Sequence, residues 1–249
     1  IQKYTNGFEE LKKSVEKYTS EYISTKTGLP IDQINQTVEM IAKSKSVFFA
    51  WTMGINHSVQ GTDTVSAINN LALVTGNIGR TGAAPMSLTG QCNAMGSREY
   101  SFTSSMPGYR TFGNEQDKAD LSAIWNIPVE EIPTARGKAY PDIIDDILND
   151  KIKALWIIAT NPLVSFPDTE RTIAAFKKLE LLVVQDGFMT PSSEMAHLIL
   201  PAAMWGEKKG SYTNSERRIS IVTKGTEPPG KAKSDFDIFL GLAKSLGIY

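Results

Sequence analysis

Ala154-Leu-Trp-Ile-Ile-Ala159 is a near-continuous apolar run of strand length, and its surroundings decide the fold class. A helical stretch from Thr169 to Lys177 follows it, then a second apolar run, Leu181-Leu-Val-Val184, and a third, Leu198-Ile-Leu200. Strands that are apolar on both faces and alternate with helices belong to a parallel, doubly wound sheet, so the class is α/β. Outward from this centre, helices are predicted over Asn114 to Ile124 and Asp142 to Asn149, separated by a link punctuated by Pro128 and Pro133. Ser234 to Leu246 closes the chain as an amphipathic helix with Phe236, Phe239, Leu240 and Ala243 on one side.

The N-terminal part repeats this grammar. Ser46-Val-Phe-Phe-Ala-Trp51 reads as a short buried strand, Thr52-Met-Gly54 as the turn at its end, and Val65 to Val74 as a helix closed by Gly76. Ligands of such sheets gather at the C-terminal ends of the strands. Residues 1–45 read as amphipathic helices, with Phe8, Leu11, Val15 and Tyr18 in one and Val38, Ile41 and Ala42 in another. From Asn77 to Arg110 the chain is rich in Gly, Ser, Thr and Pro without a sustained period, which reads as a long loop of the kind that carries function. Two α/β portions meet there: residues 1–91, the later part of one domain with leading helices, and residues 92–249, a second domain.

Composition excludes several classes. A chain of 249 residues with 41% hydrophobic and 21% charged residues is an ordinary globular protein of one or two domains. A net charge of −1, without a dense Lys/Arg run, argues against nucleic acid as a partner. No apolar stretch approaches the ~20 residues that span a bilayer, and no signal-peptide pattern opens the chain. Cys92 is the one cysteine, so neither an internal disulfide nor an iron–sulfur cluster is available from this sequence. The opening Ile1-Gln-Lys lacks an initiator Met and reads as an excised piece.

The stretch richest in chemistry is Leu88-Thr-Gly-Gln-Cys-Asn-Ala-Met-Gly-Ser-Arg98. Gly90 and Gly96 offer close backbone approach or positive φ. Gln91 and Asn93 both donate and accept, and Arg98 presents a planar fork suited to an anion. This is the wall of a large polar ligand. Together with Trp51-Thr-Met-Gly54 it resembles the catalytic subunit of molybdopterin oxidoreductases that carry bis-molybdopterin guanine dinucleotide (bis-MGD). Within that family, Gly90 to Glu99 followed by Met106-Pro-Gly-Tyr-Arg110 is most similar to assimilatory nitrate reductases. Leu182-Val-Val-Gln-Asp186, Ala196-His-Leu-Ile-Leu-Pro201 and the block from Trp205 to Arg218 resemble the family's second nucleotide-binding segment. The resemblance runs from about Phe48 to the C-terminus.

The resemblance implies roles residue by residue. Met53 stands beside the cofactor as a soft thioether wall, against the commoner use of Met as a core filler. His57 falls where the family commonly places a cofactor-bonding Gln; its other reading is a surface histidine, and it has no partner at metal-ligand spacing. Gln91 and Arg98 carry the substrate reading, in which a guanidinium matches the paired oxygens of nitrate. The alternative for Arg98 is a salt bridge to Glu99 or Glu115. Asn161, Gln185, Asp186, Lys208 and Asp235 match positions that hold the guanine nucleotide, while Asp235 also suits plain helix capping beside Ser234. Glu216-Arg-Arg218 reads as a solvated charged turn. No metal ligand is expected in this chain.

The implied activity is nitrate reduction to nitrite by oxygen-atom transfer at a molybdenum centre, in a cytoplasmic enzyme of nitrate assimilation. A 4Fe-4S cluster bound outside this sequence would take part in electron transfer from ferredoxin, flavodoxin or a reductase subunit. The isolated piece would be inactive. The nearest rival is a formate dehydrogenase on the same frame, a group that usually lacks Arg at the position of Arg98. A rival from another class is a cofactor-less scaffold relative, against which the retained Gln91, Arg98, Asp186 and Lys208 speak.

Overall fold

The structure is a computed structural model that describes residues 5–100 and 105–248. It divides into two compact units, Ile1–Gln91 and Cys92–Tyr249. Residues 101–104, within the predicted long loop, lie outside the described residues.

The first unit opens with three helices, α1 (Phe8–Val15), α2 (Ser20–Thr27) and α3 (Ile31–Lys43). Thr19 caps α2 by accepting the Tyr22 N–H at 3.2 Å, and Gly28, at φ 75°, ends it in the left-handed conformation. Pro30 precedes α3, where a missing N–H costs nothing. None of these helices buries a residue, and Val38 and Met40 are exposed. Strand β1 (Phe48–Trp51) then leads into the single turn α4 (Met53–Asn56) and the helix α5 (Gly61–Val74). The predicted loop corrects itself here. Ala84–Ser87 forms a second strand, β2, parallel to β1 with Phe48 opposite Ala84 and Trp51 opposite Ser87. Its Pro85 and absence of β-branched residues hid it from the pattern. With only this one neighbour, β1 is half-buried rather than buried, and Phe48 is exposed.

Asn77 is the fastener of this unit. It is fully buried, its Oδ1 accepts the Val47 N–H at 2.8 Å, and its Nδ2 donates to Thr75 Oγ1 at 2.9 Å. The start of β1 is thereby tied to the end of α5.

The second unit begins with α6 (Ala94–Glu99), a further element inside the predicted loop, then α7 (Glu115–Trp125) and α8 (Tyr140–Leu148). A parallel sheet in the order β3-β4-β5 follows, from β3 (Ala154–Ile158), β4 (Leu181–Asp186) and β5 (Leu198–Pro201). The turn α9 (Pro162–Ser165) and the helix α10 (Thr169–Lys178) connect β3 to β4, and α11 (Pro191–Glu194) lies between β4 and β5. Ile157, Leu182 and Val184 on one sheet face pack against Ile144 and Ile147 of α8 and Ala175 and Phe176 of α10. On the other face Trp156 meets Phe239 of α12 (Asp235–Ser245), with ring centroids 5.2 Å apart. Helices therefore lie on both faces, as a doubly wound sheet requires. Met106, Leu121 and Ile132 form a smaller apolar cluster. An antiparallel hairpin, β6 (Gly210–Thr213) with β7 (Ile219–Val222), completes the unit. Among the described residues no helix is long and apolar enough to cross a membrane.

Candidate functional site

In the first unit the site residues follow the C-terminal ends of the two paired strands. Trp51 Nε1 donates to Asn56 Oδ1 at 3.0 Å, and Asn56 Nδ2 donates to Ser87 Oγ at the same distance. These bonds lock α4 against the ends of β1 and β2. Met53 opens α4 and is half-buried, and His57 closes it with an exposed side chain. The predicted turn over Thr52 to Gly54 is thus the first part of a helical turn. Gly61 is needed for it, because a Cβ there would lie 2.7 Å from the Asn56 carbonyl oxygen. Gln91 follows β2 with its side chain exposed.

The loop after Gln91 is anchored in the second unit. Asn93 Oδ1 accepts the Thr213 N–H at 2.9 Å, and Thr213 Oγ1 donates to Glu99 Oε2 at 3.1 Å, so α6 is pinned to β6 at both ends. The Asn93 side chain crosses Gly96, where a Cβ would come within 2.3 Å of Oδ1. Gly96 is required for close approach; Gly90 has nothing within 4 Å and carries no such need. Arg98 is exposed and makes no ion pair among the described residues, while Glu99 is held by Thr213 and Glu115 pairs with Lys118. Neither carboxylate proposed as its salt-bridge partner takes that role.

Asn161 and Asp186 emerge at the C-terminal ends of β3 and β4. Asp186 is partly exposed and lies in no ion pair among the described residues; its Oδ1 accepts the Phe188 N–H at 3.0 Å, and no other described group occupies the carboxylate. Asn161 is partly exposed, and its Oδ1 accepts from the Ser192 hydroxyl at 2.7 Å.

The remaining three residues are joined to one another. Gln185 is fully buried, its Nε2 donates to Asp235 Oδ1 at 2.7 Å, and Lys208 is in ion-pair contact with Asp235 Oδ2. Burial works to raise the Asp235 pKa, but bonds from Lys208 and Gln185 outweigh it and hold the carboxyl below its ordinary value. Capping of α12 falls to Ser234, which accepts the Asp237 N–H at 3.1 Å. Gln185 Oε1 is buried without a partner, an orphaned acceptor beside this network. Lys208, Asn93, Trp205 and Tyr212 line a shallow cavity of about 190 Å³. A larger groove of about 770 Å³ runs between β3–β5 and α12; it is walled by Trp156, Val183, Leu200 and Leu242 and contains none of the predicted site residues. Glu216, Arg217 and Arg218 form the exposed hairpin turn between β6 and β7, with Asn214 Oδ1 accepting the Glu216 and Arg218 N–H groups. Among the described residues no group of His, Cys, Asp or Glu could hold a metal ion.

Ser192 escaped sequence reasoning, as did the link from Gln185 to Asp235. A buried hydroxyl inside a Pro-Ser-Ser-Glu turn carries no local signal, and the Gln185–Asp235 pair is separated by 50 positions.

In each unit, polar side chains gather after the C-terminal ends of parallel strands, where ligands of α/β sheets sit. The pattern of the molybdopterin oxidoreductase family matches residues 11–245, and the chain belongs to that family. It is 38% identical to a nitrate reductase of Synechocystis sp. over 249 residues, 99% of this chain and 35% of that protein. It is 36% identical to the F420-dependent formate dehydrogenase subunit alpha of Methanocaldococcus jannaschii, over 99% of this chain and 36% of that protein. Assimilatory nitrate reductase of Haloferax mediterranei is 33% identical over 98% of this chain and 33% of its own length. The chain thus spans about a third of these curated relatives. In fold it is similar to acetylene hydratase from Pelobacter acetylenicus, with a TM-score of 0.66 and 19% identity over 98% of this chain and 36% of that one. Membership implies a molybdenum–pterin cofactor.

Proposed function

We propose that this chain is part of the catalytic subunit of a nitrate reductase that carries a bis-MGD cofactor, and that it comprises two α/β domains, residues 1–91 and 92–249. The residues fit such a group: Asp186 has free acceptor capacity for the N–H edge of a guanine, Asn161 offers amide N–H groups, and Lys208 offers a cationic head. The orphaned Gln185 acceptor adds unused polar capacity next to Lys208 and Asp235. Fully buried itself, Gln185 acts through Asp235, whose carboxylate holds the Lys208 ammonium in place. By family resemblance, Met53 and His57 are assigned to the cofactor as well.

When bound, the molybdenum–dithiolene group supplies the two-electron chemistry that takes an oxygen atom from nitrate and leaves nitrite. The protein's share is placement and electrostatics. Arg98 attracts the planar anion and fixes one edge of it by its paired N–H groups, while Gln91 orients a remaining oxygen and Met53 excludes water with a soft apolar surface. On this reading a 4Fe-4S cluster outside residues 1–249 receives electrons from ferredoxin, flavodoxin or a reductase subunit, in the cytoplasm.

The observation that carries the nitrate reading is the exposed Arg98 guanidinium, without an ion-pair partner among the described residues, while Glu99 and Glu115 are otherwise engaged. The second reading, formate oxidation, is favoured by the identity to the archaeal formate dehydrogenase. The full-length enzyme bearing Arg98→Ala should show a KM for nitrate raised on the order of tenfold or more, with molybdenum content near that of the parent. Arg98→Lys should rescue poorly because it loses the fork. Unchanged kinetics would remove Arg98 from the site, and formate oxidation by a parent that leaves nitrate untouched would establish the second reading.

A further inference from the structure

Asn161 is held by three restraints that converge on its side chain. Ala159, directly after β3, sits at φ 54°, a left-handed conformation that an L side chain adopts only when its surroundings enforce it. Its N–H donates to the Gln185 carbonyl at 2.9 Å, which fixes the sharp exit from the strand. Pro162 then bars Asn161 from helical backbone, and Asn161 sits at φ −120°, ψ 81°. The third restraint is Ser192 of α11, which is fully buried.

Proton accounting at Ser192 settles which end of the Asn161 amide faces outward. The Ser192 Oγ accepts the Leu163 N–H at 3.2 Å and lies 2.7 Å from Asn161 Oδ1. A hydroxyl has one proton to give, and here it goes to Asn161 Oδ1. The opposite amide orientation would give Oγ a second N–H and leave its own proton, buried, without an acceptor. Asn161 Nδ2 therefore projects both N–H groups, and no described residue accepts from it.

We infer that Ser192 is a positioning residue that makes Asn161 a donor-only contact, so that the ligand atom meeting it is an acceptor: a carbonyl oxygen, a ring nitrogen or a phosphate oxygen of the nucleotide. The inference rests on the proposed nucleotide-binding role of this sheet edge. It also separates two neighbouring side chains by polarity, since Asn161 gives protons at the end of β3 and Asp186 receives them at the end of β4.

The test uses the full-length holoenzyme and follows how much cofactor stays on the protein through extended dialysis. Cofactor is counted as oxidised pterin fluorescence and as GMP released by acid hydrolysis, and each variant's melting curve is recorded alongside. Asn161→Ala and Asn161→Asp should each lower retention about tenfold, the Asp variant because it keeps the bond from Ser192 but has no N–H to give. Ser192→Ala should lower retention severalfold and add nothing further in the Asn161→Ala background. Independent, additive losses would mean that Ser192 acts only on the fold. Parent-like retention in Ser192→Ala, with Asn161→Ala impaired, would overturn the positioning role, whereas parent-like retention in Asn161→Ala would overturn the nucleotide contact itself. Should Ser192→Ala fail to fold, Asn161→Asp still decides the polarity: normal retention there contradicts a donor-only Asn161.

Discussion

The two units treat apolar residues in opposite ways. Among the described residues of Ile1–Gln91 the buried hydrophobic ones are Ala72 and Ala83, and helices α1 to α3 bury none. In Cys92–Tyr249 a continuous cluster joins Ile144, Ile147, Ile157, Phe176, Leu182 and Val184. Both units contain parallel strands and amphipathic helices, so secondary structure is not what separates them. Amphipathic periodicity states which face of an element wants cover; only the stacking of further elements provides it. Polar bonds tie elements of the first unit together: the Asn77 fastener and the Trp51–Asn56–Ser87 chain.

This contrast breaks or sharpens under substitution. Phe176→Ala should remove about 3–5 kcal/mol from the stability of the second unit, the cost of a large cavity in a closed core. Val38→Ala, 61% exposed in α3, should change stability by less than about 0.5 kcal/mol. Urea titrations followed by far-UV circular dichroism measure both, and an equal cost for the two would end the distinction. The polar character of the first unit is tested by Asn77→Ala, which strips the Val47 N–H of its acceptor and should cost about 1–3 kcal/mol. Hydrogen exchange at the Val47 amide should accelerate in that variant, and unchanged protection would mean that the fastener is not what closes the unit.

The smallest effect is electrostatic and belongs to the second unit. Because Asp235 has a lowered folded pKa, its charged form contributes stability that is present above the unfolded value of about 3.9 and is lost as pH falls through the folded value. Asp235→Asn should therefore show a stability deficit that is constant from pH 7 to about pH 5 and shrinks in more acid solution. A deficit that grew on acidification would have the wrong sign for a carboxylate paired with Lys208.

Legibility followed the same physical divide. The strands β3, β4 and β5 and the helices α7, α8, α10 and α12 could be read because each carries an apolar pattern of unambiguous period. β2 and α6 carry no such period: β2 contains Pro85, and α6 is a short helix with glycine at its centre. The hairpin β6–β7 was obscured by the charges of its own turn, although Asn214 and the alternation of Ile219 and Ile221 mark it in retrospect. That Asn161 and Asp186 follow strands was visible in the sequence. That Gln185 reaches Asp235, and Ser192 reaches Asn161, depends on pairs of elements meeting in space, and no local pattern encodes such a meeting.

The strand order β3-β4-β5 repeats the order of synthesis. Each strand pairs with the one that precedes it in the chain, so the sheet can be built from one edge, with no strand inserted between two already joined. Asp235 comes after every strand of this sheet in the chain, and it supplies the carboxylate that the Gln185 amide donates to. A chain truncated before Asp235 would keep β3, β4 and β5 in its sequence but leave the buried Gln185 amide without that acceptor.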